Sequence, residues 1–395
     1  MRIACLFLLL PLFYATNLSG QLQDDSIEMS LLTCEPGEEL YSKFGHSAIR
    51  VQDRRRGSDL VFNYGIFDFD TEYFYAKFVR GKLDYMLGLQ RTNNFVNIYE
   101  REGREVREVK LNLSPASEMA LYQLLQTNYQ PENRYYRYDF FFDNCATKIR
   151  DIMEAELELS FEKPGHPEKT FRHLLDEYVG QFPWADFGID LILGLPTDRK
   201  ASYDEEMFLP DYLEDHIVEA RYSGAPLGVP TAQPLSRSLH PPYEVSRVKP
   251  LPLFIAIFVF LFLVSFSAMR TLKYLVDLVW FSGLSVAGLL LTFMWVGTEH
   301  EVCWQNLNLL WANPLALPVL ISICSPFPGA RTVQWAVLLL SLITIIGFPL
   351  WPQEMPLPVV PIALGTVFRL MDRLGLLIDP FQMEPKIIGP STPAV

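Results

Sequence analysis

The chain has 395 residues, half of them hydrophobic, and a formal net charge of −13. That length accommodates a sizeable soluble domain plus a second part, and the acidic balance excludes the basic footprint of a nucleic-acid binder. None of its five cysteines stands at Cys-x-x-Cys spacing, and His166 and His173 are isolated, so neither a metal nor a cofactor is expected.

Residues 1–20 read as a secretory signal peptide: Arg2, an apolar run over 3–14, then small and polar residues, with a cut near Gly20. An uncleaved anchor is the alternative. Either way, residue 21 onward starts outside the cytoplasm. After cleavage Cys34, Cys145, Cys303 and Cys324 remain, the first two in the exported part. A Cys34–Cys145 disulfide is the plain reading for an oxidising compartment. The helix-start context of Cys145 argues instead for a free thiol.

Residues 21–225 are expected to form one mixed domain. A strand at 27–33 leads through a loop at 34–41 to a hairpin, 47–52 and 59–64, around the solvated turn Arg54-Arg55-Arg56-Gly57. Aromatics at helical spacing mark 71–80. Strands follow at 83–89 and 102–111, the second so charged that an edge position is expected. Ser114, Pro115 and Glu118 open a helix running to about residue 127. A helix at 146–159, capped by Asn144 or Asp143, is followed by helices at 171–179, 184–194 and 207–222. Residues 226–250, rich in Pro and Ser, read as a linker.

Apolar runs at 251–269, 275–297, 307–324, 332–351 and 356–368 then predict about five membrane helices, within a transmembrane region 251–370 and ahead of a cytoplasmic tail 371–395. Lys and Arg fall in the connections after the first and third runs and in the tail; those after the second and fourth carry none. The positive-inside rule therefore puts the exported domain and these two basic-free loops on the same outer face. That makes a multi-pass membrane protein with its exported domain outside the cytoplasm.

The chemistry concentrates in residues 138–151. An aromatic approach, Asp143-Asn144 and Cys145 precede a helix, which puts a thiol where unpaired N–H groups and the helix dipole favour the thiolate. Upstream, His46 opens a strand-like run. A thiolate at a helix start and a histidine on a strand make a papain-type nucleophile and base, here in reversed chain order, as in a circular permutation. A buried structural cysteine and a structural histidine are the bland readings. The group orienting the imidazole is left open between Asn63, Asp68 and Asp70. The N–H of Cys145 and its neighbours, assisted by Tyr64 or Asn144, could form an oxyanion hole. The outer loop carrying His300, Asn306, Asn308, Trp311 and Asn313 is expected either to meet the catalytic domain over a lipid site, with His300 and Asn308 touching substrate, or to serve as an interfacial belt with helix caps.

Residues 30–34, 44–51, 62–68, 143–147, 187–191, 207–210 and 306–314 together resemble the Bacteroidetes-type lipoprotein N-acyltransferases, the Lnb family. The resemblance implies an α+β fold: a circularly permuted papain/NlpC-like periplasmic domain followed by an all-α bundle of about five transmembrane helices. It implies transfer of a fatty acyl chain from a phospholipid acyl donor, through a cysteine thioester, to the α-amine of a diacylated lipoprotein acceptor. A membrane-anchored thiol amidase or peptidase acting on cell-wall peptide is the alternative, and a catalytically dead membrane scaffold the third.

Overall fold

The computed structural model describes residues 27–67, 70–159, 161, 168–239 and 246–377, the Tyr75 side chain excepted. The signal-peptide segment, Asp68, His166 and most of the expected tail lie outside the described residues.

The exported part is built on an antiparallel sheet. Its strands are β1 (Ile27–Cys34), β2 (His46–Asp53), β3 (Ser58–Ile66), β4 (Asp84–Arg91), β5 (Val106–Leu111), β6 (Tyr135–Arg137) and β9 (Gly228–Pro230), in the order β6-β4-β3-β2-β1-β5-β9. A separate ribbon pairs β7 (Arg221–Tyr222) with β8 (Ala225–Pro226). β1 is buried along almost its whole length because both faces of the sheet are covered. Leu31, Ile49 and Phe62 face a core closed by α3 (Pro115–Asn128), α4 (Cys145–Leu157) and α8 (Pro210–Glu219). Leu32, Ala48 and Val61 face a smaller core closed by Phe95 and Tyr99 of α2 (Thr92–Arg101). Each fully buried Leu, Ile, Val or Phe among them contributes about 1.5–3 kcal/mol.

Three expectations change here. The strand expected over 102–111 begins only at Val106 and is not an edge, since β1 and β9 flank it. Its charges are tolerated because neighbouring elements answer them: Glu108 accepts from Arg50 at 2.8 Å, and Arg107 reaches Glu214 at 2.8 Å and Asp211. β9, which supplies the outer neighbour, falls inside the segment expected to be a linker, so that segment begins as part of the sheet. The helix expected over 207–222 shortens to α8, because Pro210 sits at its start and cannot continue the preceding turn; the chain just ahead of it forms the short α7 (Tyr203–Glu206), and Arg221–Tyr222 belong to β7. The exported part also contains α1 (Phe74–Val79), α5 (Phe171–Val179) and α6 (Pro183–Ile192), the last packed against the first two helices of the C-terminal part.

Among the described residues the C-terminal part holds five α-helices: α9 (Pro250–Ser265), α10 (Arg270–Val296), α11 (Ala316–Cys324), α12 (Ala330–Gly347) and α13 (Val359–Leu374). α10, and α12 with its extension to Leu350, are long and apolar enough to cross a bilayer. The expected third run, 307–324, is not one continuous helix. Asn306 Oδ1 accepts the N–H of Asn308, and Asn313 Oδ1 accepts that of Leu315. These side-chain caps fold the first half into a 3-10 turn and leave nine helical residues in α11. The fifth helix is displaced toward the C-terminus and takes in Arg369 and Arg373, basic residues expected beyond the last span. Asp277 of α10 answers both, at 2.7 Å and 3.1 Å, with Arg369 and Asp277 almost fully buried.

Candidate active site

Cys145 is the first residue of α4, and Asn144 puts it there. The Asn144 backbone is extended, and its Oδ1 accepts the N–H of Ala146 at 2.8 Å and of Thr147 at 3.0 Å. Thr147 Oγ1 returns the bond by accepting Asn144 N–H, which completes a capping box. The Asn144 amide nitrogen donates to the carbonyls of Phe140 and Phe208, both at 2.8 Å. Asp139 holds the turn ahead of it by accepting from Phe141 and Phe142 N–H. One asparagine thus ties the helix start, the aromatic approach and the segment before α8 together.

His46 is the first residue of β2 and Asn63 lies on β3. The pairing Ile49↔Phe62 puts His46 and Asn63 on the same face of the sheet, diagonal neighbours. Asn63 Oδ1 lies 2.6 Å from His46 Nε2, so Nε2 carries the proton and Nδ1 is the nitrogen left for the thiol. Just past Asn63 the β3–β4 register shifts. Gly65, at φ +92°, makes that irregularity possible. A Cβ on it would stand 3.6 Å from the His46 ring and 3.7 Å from Cys145 Cβ, so the strand runs close alongside both groups.

Burial alone would push the Cys145 thiol up. The charge and hydrogen bond of His46, with the N–H groups of Ser47 and Ala146, outweigh burial and hold it below the ordinary thiol range. Burial alone would likewise lower His46; the Cys145 thiolate, its hydrogen bond and the Asn63 bond hold the imidazole above its ordinary value. Both directions favour a thiolate–imidazolium pair. Cys34 is the contrast: burial pushes its thiol up to about 12, so it stays protonated. Neither cysteine is in a disulfide.

The pair opens into a cavity of about 590 Å³ whose lining is mainly apolar. Phe44, Phe140, Phe141 and Phe208 form one wall, and Ile189 and Ile192 of α6 another. Met294 at the outer end of α10 and the loop residues His300, Val302 and Cys303 close the side contributed by the C-terminal part. That loop is docked by backbone and side-chain bonds. Gly194 N–H donates to Val302 O at 2.8 Å, Glu299 N–H to Arg80 O at 3.0 Å, and Asn306 Nδ2 to Leu191 O at 2.7 Å.

Cys145, His46, Asn63, Asn144 and His300 therefore share one cavity. Tyr64, Asn308 and Asp70 do not. Tyr64 turns to the opposite face from Asn63, as strand alternation requires; it is buried in the core, and its hydroxyl accepts from Asn128 at 3.0 Å, so it cannot serve the oxyanion. Asn308 is fully buried in the docking joint, donating to Asp190 O and Leu191 O and accepting from Trp311 Nε1, out of reach of a substrate. Asn144 lines the cavity, but both of its amide protons are taken, which removes it as an oxyanion donor. Asp70 is exposed and outside the cavity. Gly65 and Arg104 were missed. Gly65 lies inside the 62–68 motif; Arg104 had no signal, being one charge among many in its stretch.

The description "Lnb N-terminal periplasmic domain" belongs to the family model that matches residues 14–177, and "Lnb transmembrane domain" to the one that matches 243–377. No curated protein and no solved structure matches the chain.

Proposed function

Since the chain belongs to the Lnb family, carrying that family's periplasmic domain ahead of its transmembrane domain, we propose that it transfers a fatty acyl chain from a phospholipid, through a thioester on Cys145, to the N-terminal α-amine of bacterial lipoproteins. In the first half-reaction the Cys145 thiolate attacks the carbonyl carbon of a phospholipid ester. Charge moves to the carbonyl oxygen, where the N–H of Cys145, at the helix start with no preceding helical acceptor, can receive it. The carbon–oxygen bond of the ester breaks, and the lysolipid alkoxide leaves with the proton of the His46 imidazolium. In the second half-reaction the acceptor amine attacks the thioester, His46 Nδ1 takes its proton, and the thiolate departs as the amide forms. Asn63 holds the ring so that Nδ1 faces the sulfur throughout.

One observation carries this reading: the Cys145–His46–Asn63 group opens into an apolar cavity that the C-terminal, membrane-spanning part helps to wall. Both substrates are lipids, and a wall of Phe, Ile and Met suits an acyl chain. A cell-wall peptidase or amidase would need a polar cleft. A dead scaffold would have no use for a thiol held below its ordinary pKa. A papain/NlpC-like fold in permuted order is the architecture this reading assigns to the exported domain. His300 is assigned to substrate contact from the loop side. The test is mass spectrometry of a lipoprotein N-terminus in cells with and without the protein. Loss of one acyl chain supports the reading; altered cell-wall fragments with intact lipoprotein acylation would replace it with the amidase.

A further inference from the structure

One wall of the cavity carries a charge that thioester chemistry at Cys145 leaves idle, the guanidinium of Arg104. Arg104 is 6 % exposed and lines the same cavity as the thiol. Two of its three nitrogens are committed to protein. Nε donates to the Glu35 carbonyl at 2.7 Å, and Nη1 to Glu102 at 2.8 Å. The plane lies over the Tyr99 ring, 4.6 Å from its centroid. Gly37 packs so closely that a Cβ there would stand 3.3 Å from the guanidinium carbon. Nη2 has no hydrogen-bond partner among the described residues, and it is not among the buried unpartnered atoms either. The fork is thus fixed on two sides, with its third nitrogen left for whatever fills the cavity. Glu102 is half-exposed, so water screens its neutralisation of this cation.

We propose that Arg104 anchors the phosphodiester of the glycerophospholipid acyl donor, holding the donor in the cavity while one of its esters meets Cys145. This rests on the acyl-transfer reading. A guanidinium suits a phosphate oxygen by charge and by planar donor geometry. The cavity around it is apolar, so the anion that belongs there is one attached to fatty chains. The guanidinium is close enough to His46 to disfavour the imidazolium, which places the anion subsite in the neighbourhood of the catalytic pair.

The experiment uses the full-length protein in detergent and reads acylation of Cys145 by intact mass, with two donors. One is a phosphatidylethanolamine or phosphatidylglycerol; the other is an uncharged long-chain p-nitrophenyl ester. Arg104→Gln should slow acylation from the phospholipid about tenfold more than from the uncharged ester, as loss of a charged hydrogen bond predicts. Arg104→Lys should recover part of that difference. Equal losses with both donors would mean that Arg104 only supports the fold, and no loss with either would mean an idle charge; each overturns the assignment. Inhibition of wild-type acylation from the uncharged ester by millimolar inorganic phosphate would mark a free-phosphate site and also overturn it. If the uncharged ester acylates wild-type Cys145 but phospholipid never does, the phospholipid-donor reading itself falls, a failure distinct from that of Arg104 alone.

Discussion

Cys145 and His46 each favour the other's charged form, and that coupling sets how activity should respond to pH. The thiolate–imidazolium pair exists above the lowered thiol pKa and below the raised imidazole pKa. Acylation should rise with pH through the first and fall through the second, a bell whose limbs belong to the pair jointly. The Asn63 bond helps raise His46, so Asn63→Ala should move the alkaline limb to lower pH as well as reduce the rate. An unmoved limb in a single-turnover pH profile would remove Asn63 from its orienting role. His46→Ala should cost on the order of 10²–10⁴ in rate, while His173→Ala and His216→Ala, whose partners are Glu354 and Glu206, should leave acylation near wild type. Cys145→Ser should abolish acyl-enzyme on a folded protein, and a labelling donor should mark Cys145 and not the protonated Cys34. At this scale the Gly-His-Ser and Asp-Asn-Cys contexts were legible because each places its side chain by local backbone geometry alone. Tyr64 was not, because its neighbour Asn63 faces the site and alternation sends the next side chain to the core. Arg104 was not legible either, since only the closed fold shows which charge is trapped beside the cavity.

The helix start at α4 and the outer loop position these groups. Asn144→Ala removes the cap and leaves the Phe140 and Phe208 carbonyls without their donor. It should cost about 1–2 kcal/mol and also misplace the thiol, so melting temperature and acylation rate should fall together. A lowered rate with an unchanged melting temperature would mean the side chain acts on substrate instead. The loop around Asn306 and Asn308 docks on residues 190–194. Cysteine pairs between the loop and that segment should therefore cross-link, and Asn308→Ala should weaken the joint more than it changes chemistry. α3 and the capped helices could be read ahead of the structure because Ser114 and Asn144 are local signals. α2 escaped because Phe95 and Tyr99 are its main inward hydrophobic residues, set among Asn, Arg and Glu. The break in the apolar run at 307–324 was hidden because hydrophobicity records length, whereas the asparagine caps that divide it are settled by backbone bonds.

Across the whole molecule, the periplasmic and transmembrane parts meet at one cavity. The cavity has walls from both, and the loop that closes it is anchored by Gly194, Asn306 and Asn308. At the other end of the bundle Asp277 answers Arg369 and Arg373. Asp277→Asn would leave Arg369 with Asp372 as its remaining carboxylate among the described residues, beside the Ser265 hydroxyl, and thermal stability in detergent should drop by about 3 kcal/mol. The double variant Asp277→Asn/Arg369→Gln should regain part of it. Charge bias along the sequence gave the orientation of the helices, but this pairing needed the three-dimensional packing of α10 against α13.

α11 has nine residues, about 14 Å of helix, and α9 and α13 have sixteen each, about 24 Å, against a hydrocarbon layer of about 30 Å. Such hydrophobic mismatch draws the lipid surface inward around the protein. The outer leaflet should thin beside α11, and a donor ester there rests closer to the level of the cavity than its neighbours in the bulk bilayer. Membrane thickness thereby becomes a variable of the reaction. Reconstituted in vesicles of graded chain length, the enzyme should acylate fastest in thin bilayers and slow as the lipids lengthen.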